Sequence, residues 1–383
     1  MAKMKRILRC LPLALIGLLA HTTHATSPAQ VTYLIKFNTP VTDRLLNSIN
    51  FNQQFQGKIK FIYQHAFQGI AVQIPQNVEQ EFVRILKLNP TVSLIEKDQV
   101  FKSNATTQTN ATWGLDRSDQ RNLPLNSTYN ADGNAQGVPV YVVDTGVLAS
   151  HQDFAGRVKA GYTAVSDGNG TTDCNGHGTH VAGTIAGTKY GIAKSASIIP
   201  VRVLDCNGSR TTSTVIAGLD WVASQNPRNA VVNLSLGGGT STALDDAINR
   251  VVNKDIVVVV AAGNNNADAC NYSPSRVPAA ITVGATTNQD QRANYSNYGK
   301  CLDVFAPGSN ITSDWYSSNT ATATASGTSM ASPHVAGLAA ILRAIYTGEN
   351  VSQITNRILN KATTNKVTDS QTGSPNRLLY TRL

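Results

Sequence analysis

Alternating apolar and polar positions in VTYLIKF, residues 31–37, predict a strand with one buried face, and the spacing near 41–54 predicts a helix. Two more strands are expected in KIKFIYQHAF (58–67) and GIAVQI (69–74), then a helix in VEQEFVRILKLN (78–89) and a strand in VSLIEKD (92–98). The order β-α-β-β-α-β predicts a ferredoxin-like α+β unit over residues 31–101. At about 75 residues it lies close to the smallest size that sustains its own core. The polar, aperiodic KSNATTQTNA at 102–111 reads as an exposed linker open to cleavage.

Beyond Trp113 that alternation disappears. Short, almost wholly apolar runs (VPVYVVDTG, ASIIPVRVLD, AVVNLSLGG, DIVVVVAAGN, AAITVGATT) are separated by helical stretches of about 10–18 residues. Strands this apolar are buried on both faces, so the pattern predicts an α/β unit with a parallel sheet between two helical layers. Ligands of such sheets bind beyond the carboxyl ends of the strands. Asp144, Ser235-Leu236-Gly237 and Asn264 stand there, where apolar runs give way to glycine-rich sequence. There is no internal repeat, and no further module is expected after GSPNRLLY.

The first residues, MAKMKRILR, are basic and lead into apolar Leu11–Ala20, followed by Thr23-His24-Ala25. A basic head, an apolar run too short to span a bilayer and a small residue at the cut predict a secretory signal at 1–25, removed after Ala25 together with Cys10. No membrane association is expected afterwards. The formal net charge is +9, but residues 1–104 hold 12 basic and 5 acidic residues against 20 and 18 in 105–383. The basic excess thus lies mostly in the part expected to be removed. No basic cluster with interleaved aromatics is left, so nucleic acid is not an expected partner. Cys174, Cys206, Cys270 and Cys301 remain, an even number that in an exported chain favours disulfides over free buried thiols. Three pairings are open, of which the sequential one closes short loops.

Candidate chemistry is concentrated in two segments. GHGTHVAG (176–183) places His177, and GTSMASPHVAG (327–337) places Ser329, each at the start of a helix. A serine hydroxyl becomes a nucleophile when a base takes its proton and a third group fixes the tautomer of that base. Asp144, in VVDTG, is the candidate third group, although an Asp before Gly also caps turns. Asn264, in AAGNNN, is a candidate donor to a tetrahedral oxyanion, with the Ser329 N–H at a positive helix end; alone it would read as a turn residue. His180 could pair with His177 on a metal, but no third ligand follows at zinc spacing, and His334 reads as packing.

Taken in order, DTG, GHGTHVAG, SLGGG, AAGN and GTSMAxPHVAG resemble the subtilisin-like serine proteases. The chain order Asp, His, Ser suits that family and not the chymotrypsin or α/β-hydrolase orders. WGLDRSDQRNLPLN, DCNGHGTH and ADACNYSP resemble the proteinase K-like branch, particularly aqualysin-type bacterial enzymes, and the similarity covers nearly all of 31–383. The resemblance implies a subtilisin-like three-layer α/β fold and a secreted endopeptidase acting on proteins and peptides. Asp144, His177 and Ser329 would form its triad and Asn264 its oxyanion donor. A substrate strand would lie between Gly208-Ser209-Arg210 and Ser235-Leu236-Gly237, with the primary pocket at Ala261, Ala262 and Gly263. These motifs hold no acidic residue, so an apolar or aromatic P1 side chain with broad tolerance is expected. Arg210 replaces a Gly common in relatives. It either blocks bulky residues, attracts acidic ones or faces solvent with little effect.

The resemblance further implies an inhibitor-type propeptide at 26–104, acting as chaperone and transient inhibitor of its own peptidase domain at 105–383. Its last residues would enter the cleft as a product, with self-cleavage near Asn104/Ala105. Sequential disulfides, Cys174–Cys206 and Cys270–Cys301, are implied as well. A monomer is expected. Structural Ca²⁺ is implied: Asp303 with the carbonyls of Pro278 and Ala280 resembles one site, and Asp116, Asp119 and Gln120 another, where Asn126 replaces an Asp of relatives. Ordinary surface carboxylates are the alternative at the second site. The rival functions are a non-catalytic binding protein on the same fold and a transpeptidase using the same acyl-enzyme.

Overall fold

The computed structural model describes residues 28–65, 67–98 and 106–383. The expected signal peptide and the Asn104/Ala105 cleavage point lie outside the described residues. The chain divides into two compact units, 1–101 and 102–383.

In the first unit an antiparallel sheet runs in the order Lys58–Tyr63, Gly69–Pro75, Gln30–Phe37, Val92–Lys97. Val31, Tyr33, Ile35 and Phe37 alternate onto one face and pack with Phe51, Phe55, Phe82 and Leu86 from the helices. The expected β-α-β-β-α-β series is therefore present, with two differences. The strand from Lys58 ends at Tyr63, short of Phe67. The helix expected over 41–54 is two, Asp43–Ile49 and Phe51–Phe55, broken where Asn50 takes a left-handed φ of 48°. Asn tolerates that conformation better than most side chains do.

The second unit is built on a nine-stranded sheet. Its order is Thr363–Thr364, Arg377–Leu378, Val304–Pro307, Ile281–Thr286, Val257–Ala261, Val231–Leu234, Pro139–Asp144, Ser197–Arg202, Tyr162–Thr163. All neighbours are parallel except the first pair. Strand parity sorts the side chains into two cores. Val140 and Val142 join the layer holding helices His177–Ala186 and Thr328–Ile345; Tyr141 and Val143 join the layer of Thr212–Ser224 and Thr242–Val252. Asp144, two residues after Val142, falls by the same parity on the first face. The chain extends the sheet on one side of Pro139–Asp144 with residues 162–202 and on the other from Val231 onward, so the topology switches between Asp144 and Ser235. Open α/β sheets bind their ligands in the crevice at such a point.

Cys174 is bonded to Cys206, and Cys270 to Cys301, as the resemblance implied. Among the described residues no helix is long and apolar enough to cross a membrane.

Candidate active site

Asp144 ends its strand fully buried. Its Oδ1 accepts from His177 Nδ1 at 2.7 Å and from the Thr145 N–H at 2.7 Å, while Oδ2 has no hydrogen-bond partner among the described residues. His177 opens its helix after Gly176, whose φ of 110° and whose contact with the Trp315 ring leave no room for a Cβ. Asp173 fixes this turn: Oδ1 accepts from Thr145 Oγ1 and from the N–H groups of Asn175 and Gly176, and Oδ2 from the N–H and Oγ1 of Thr179. Burial lowers the His177 pKa, but the Asp144 charge and hydrogen bond, with Asp173 behind them, outweigh it and hold the imidazole above its ordinary 6.5. The side chain stays partly accessible.

Ser329 is the second residue of its helix. Its Oγ donates to the Ser235 carbonyl at 3.0 Å rather than to His177. Ser235 Oγ donates to the Ser329 carbonyl at 2.9 Å and accepts from Asn233 Nδ2, whose Oδ1 accepts from Ser332 Oγ. Asn264 Oδ1 accepts from the N–H and Oγ1 of Thr328 at 2.8 and 2.9 Å. Because a backbone N–H can only donate, the amide orientation is settled and Nδ2 is left as the donor at the start of the Ser329 helix.

Two adjoining pockets flank Leu236-Gly237. One, of about 390 Å³, is lined by Ala261, Ala262, Gly263, Asn264 and Ser329. The other, of about 410 Å³, is lined by His177, Gly208-Ser209-Arg210 and Ser235-Leu236-Gly237. No carboxylate lines either one. Arg210 Nε lies 3.6 Å from Asp205 Oδ2.

The candidate calcium residues are placed as follows. Asp119 is buried; its Oδ2 accepts from the Asn130 N–H and Nδ2, both at 2.8 Å, and its Oδ1 has no partner among the described residues. Asp116 accepts from the N–H groups of Asn126 and Ser127, whereas Gln120 turns Nε2 to the Pro124 carbonyl and Asn126 Oδ1 accepts from Thr128. Asp303 Oδ2 accepts from the Thr282 N–H at 2.8 Å, and burial pushes its pKa up to about 6. Ala280 is buried and Pro278 exposed. His180 Nε2 donates to the Ile311 carbonyl and His334 Nδ1 to the Met330 carbonyl; burial lowers both pKa values to about 4.

Sequence reasoning passed over Asp173, Thr328, Asn233 and Trp315. Asp173 alone left a trace, as an acid a few residues ahead of a histidine that opens a helix, although it lies three residues before the N-cap Gly176. The others declare themselves only through partners distant in the chain.

A serine at a helix start, a histidine held by a buried carboxylate and a cleft beside a sheet's switch point are the parts of a serine hydrolase site. The Subtilase family pattern matches residues 135–378, and the chain belongs to that family. It is 56% identical over 324 residues to an extracellular serine proteinase of Thermus sp. (strain Rt41A), covering 85% of this chain and 78% of that one. It is 48% identical over 328 residues to the alkaline serine exoprotease A of Vibrio alginolyticus, covering 84% and 60% respectively. A cold-adapted subtilisin-like serine proteinase of known structure matches with a TM-score of 0.70 and 52% identity, covering 72% of this chain and 100% of that chain.

Proposed function

We propose that this subtilase is a secreted, self-processing endopeptidase of broad specificity whose triad is Asp144, His177 and Ser329. The observation that carries the reading is the 2.7 Å hydrogen bond from His177 Nδ1 to the buried Asp144 Oδ1. It leaves Nε2 as the only ring nitrogen able to take a proton from Ser329. In the reaction Ser329 Oγ turns from the Ser235 carbonyl toward His177, loses its proton to Nε2 and bonds to the scissile carbonyl carbon. The carbonyl oxygen becomes an oxyanion that accepts from Asn264 Nδ2 and the Ser329 N–H. His177, now a cation beside Asp144, gives the proton to the departing amine. Water then enters, gives one proton to His177 Nε2 and bonds through its oxygen to the acyl carbon; the bond to Ser329 Oγ breaks, His177 returns the proton to that oxygen, and the acid leaves free Ser329.

Substrate lies as an added strand between Gly208-Ser209-Arg210 and Ser235-Leu236-Gly237, and the uncharged pocket at Ala261-Ala262-Gly263 takes an apolar or aromatic side chain. Residues 26–104 are the propeptide, chaperone and inhibitor of the 105–383 peptidase domain, and the mature enzyme acts outside the cell as a monomer. The name of the Thermus relative, an extracellular serine proteinase, supports the location. The buried, unpartnered Oδ1 of Asp119 is the observation that supports calcium at the first site, where Asp116 and Gln120 would be further ligands once released from their present partners; Asp303 with the Pro278 and Ala280 carbonyls would hold a second ion. Bound there, it supplies stability rather than chemistry.

The test is to express the full precursor beside Ser329→Ala and follow its size, N-terminus and casein hydrolysis. Wild type should shorten to begin near Ala105 and digest casein, while the variant stays long and inert. If both shorten alike, another protease performs the maturation; a wild type that is cut but inert sinks the catalytic assignment.

A further inference from the structure

We propose that Arg210 is a specificity residue that selects an acidic side chain in the outer part of the substrate cleft. The inference rests on the endopeptidase cleft described above and asks what that cleft prefers. His177 apart, Arg210 is the one ionisable side chain among the residues lining the pocket of about 410 Å³. Its surroundings there are apolar, with Val215, Leu236 and Leu244, or polar and uncharged. With every other lining side chain but His177 uncharged, this one formal charge sets the electrostatic preference of that part of the cleft.

The guanidinium is both held and available. Asp205 Oδ1 is committed to its own turn, accepting from the N–H groups of Asn207 at 2.9 Å and Ser209 at 3.2 Å. Asp205 Oδ2 comes no closer to the guanidinium than 3.6 Å, at Nε, beyond a good hydrogen bond. Nη1 and Nη2 make no hydrogen bond with any described residue, and the side chain is 40% exposed. The loop beneath is fixed by the Cys174–Cys206 disulfide and by Asn175 Nδ2 donating to the Cys206 carbonyl at 3.0 Å. A planar fork of free N–H donors on a braced loop is suited to receive a carboxylate through two parallel hydrogen bonds. A lysine or arginine of the substrate at the same place meets like charge.

The experiment is a positional scan of fluorogenic peptides with a fixed apolar residue at the cleaved position, using the mature enzyme produced from the full chain. Cleavage of an uncharged peptide by wild type, absent in Ser329→Ala, secures the protease reading separately. At one outer position Glu or Asp should be preferred over Lys or Arg by roughly five- to tenfold in kcat/KM at low salt, and 0.5 M NaCl should shrink the preference. Arg210→Gln should erase it, Arg210→Lys should keep part of it because the charge remains without the fork, and Asp205→Asn should enlarge it. A scan showing no charge preference at any position, or a preference that survives Arg210→Gln, overturns the proposal. An enzyme that cleaves no peptide at all overturns the endopeptidase reading and this one with it.

Discussion

Ser329 and Ser235 hold each other twice: the Ser329 hydroxyl donates to the Ser235 carbonyl at 3.0 Å, and the Ser235 hydroxyl donates to the Ser329 carbonyl at 2.9 Å. The second bond has a cause in the sequence. Pro333 lies four residues after Ser329 in the same helix and has no N–H, so the Ser329 carbonyl loses its intrahelical donor. Ser235 Oγ supplies the missing one and ties the nucleophile helix to the edge where substrate is expected to bind. Ser235→Ala should therefore cost about 1–3 kcal/mol by leaving the Ser329 carbonyl and Asn233 Nδ2 without their partner. It should also loosen the nucleophile, seen as a fall in kcat larger than the rise in KM. Denaturant melts and peptide kinetics of the variant check both; unchanged stability would remove this role from Ser235.

The His177 pKa is held above 6.5 by Asp144, against the opposing effect of burial. Neutral His177 is the form that accepts the Ser329 proton, so kcat/KM should climb with pH through an apparent pKa above 6.5 and collapse below it. Asp144→Asn removes the charge and reverses the hydrogen bond, leaving burial to dominate. The acid limb should move to lower pH while kcat falls on the order of 10⁴-fold. A pH–rate profile of the variant with its limb unmoved would show that Asp144 does not set this titration.

The alternation that aims Asp144 at the His177 layer can be read directly in PVYVVD, since side chains two apart share a face and Val140 and Val142 are unmistakably core. His177 and Ser329 were legible for a related reason: glycines before a small-residue helix mark a place where backbone and substrate meet closely. What the sequence concealed were the supports. Thr328 is an ordinary helix-start residue until Asn264, 64 positions earlier, is brought against it. Asp205 looks like a turn residue, and its pairing with Arg210 depends on how the loop after Cys206 closes. The break at Asn50 was missed because hydrophobic spacing reports faces and is silent on one residue's backbone conformation.

A buried carboxylate oxygen without a donor is costly unless a cation meets it, and Asp119 Oδ1 is such an atom. Excess chelator should lower Tm. A site filled at a hundred times its Kd contributes about 2.7 kcal/mol that the chelator would withdraw. Asp119→Asn should shrink the chelator-induced shift while lowering the metal content found by elemental analysis. If metal-free protein melts where the untreated protein does, structural calcium is excluded at both candidate sites.

Asp314 gives the protein a stability that depends on pH. It is fully buried, and neither carboxylate oxygen has a hydrogen-bond partner among the described residues. His151 Nδ1 lies 3.5 Å from Oδ1 but accepts from the Asp153 N–H, while Nε2 donates to the Ala321 carbonyl, so neither ring nitrogen donates to Asp314. Burial and then the Asp153 carboxylate raise the Asp314 pKa from 3.8 to about 8, against the attraction of Arg157 and Lys189. With the folded pKa above the unfolded one, the stabilisation is complete below 3.8 and is lost as pH rises through about 8. Asp314→Asn cannot ionise, so it should melt above wild type at pH 9, by about 2–4 °C for each kcal/mol regained, and by a much smaller margin at pH 5. Calorimetry at the two pH values with calcium held constant decides it. A shift of the same size at both would mean that packing at Asp314, and not its charge, governs the difference.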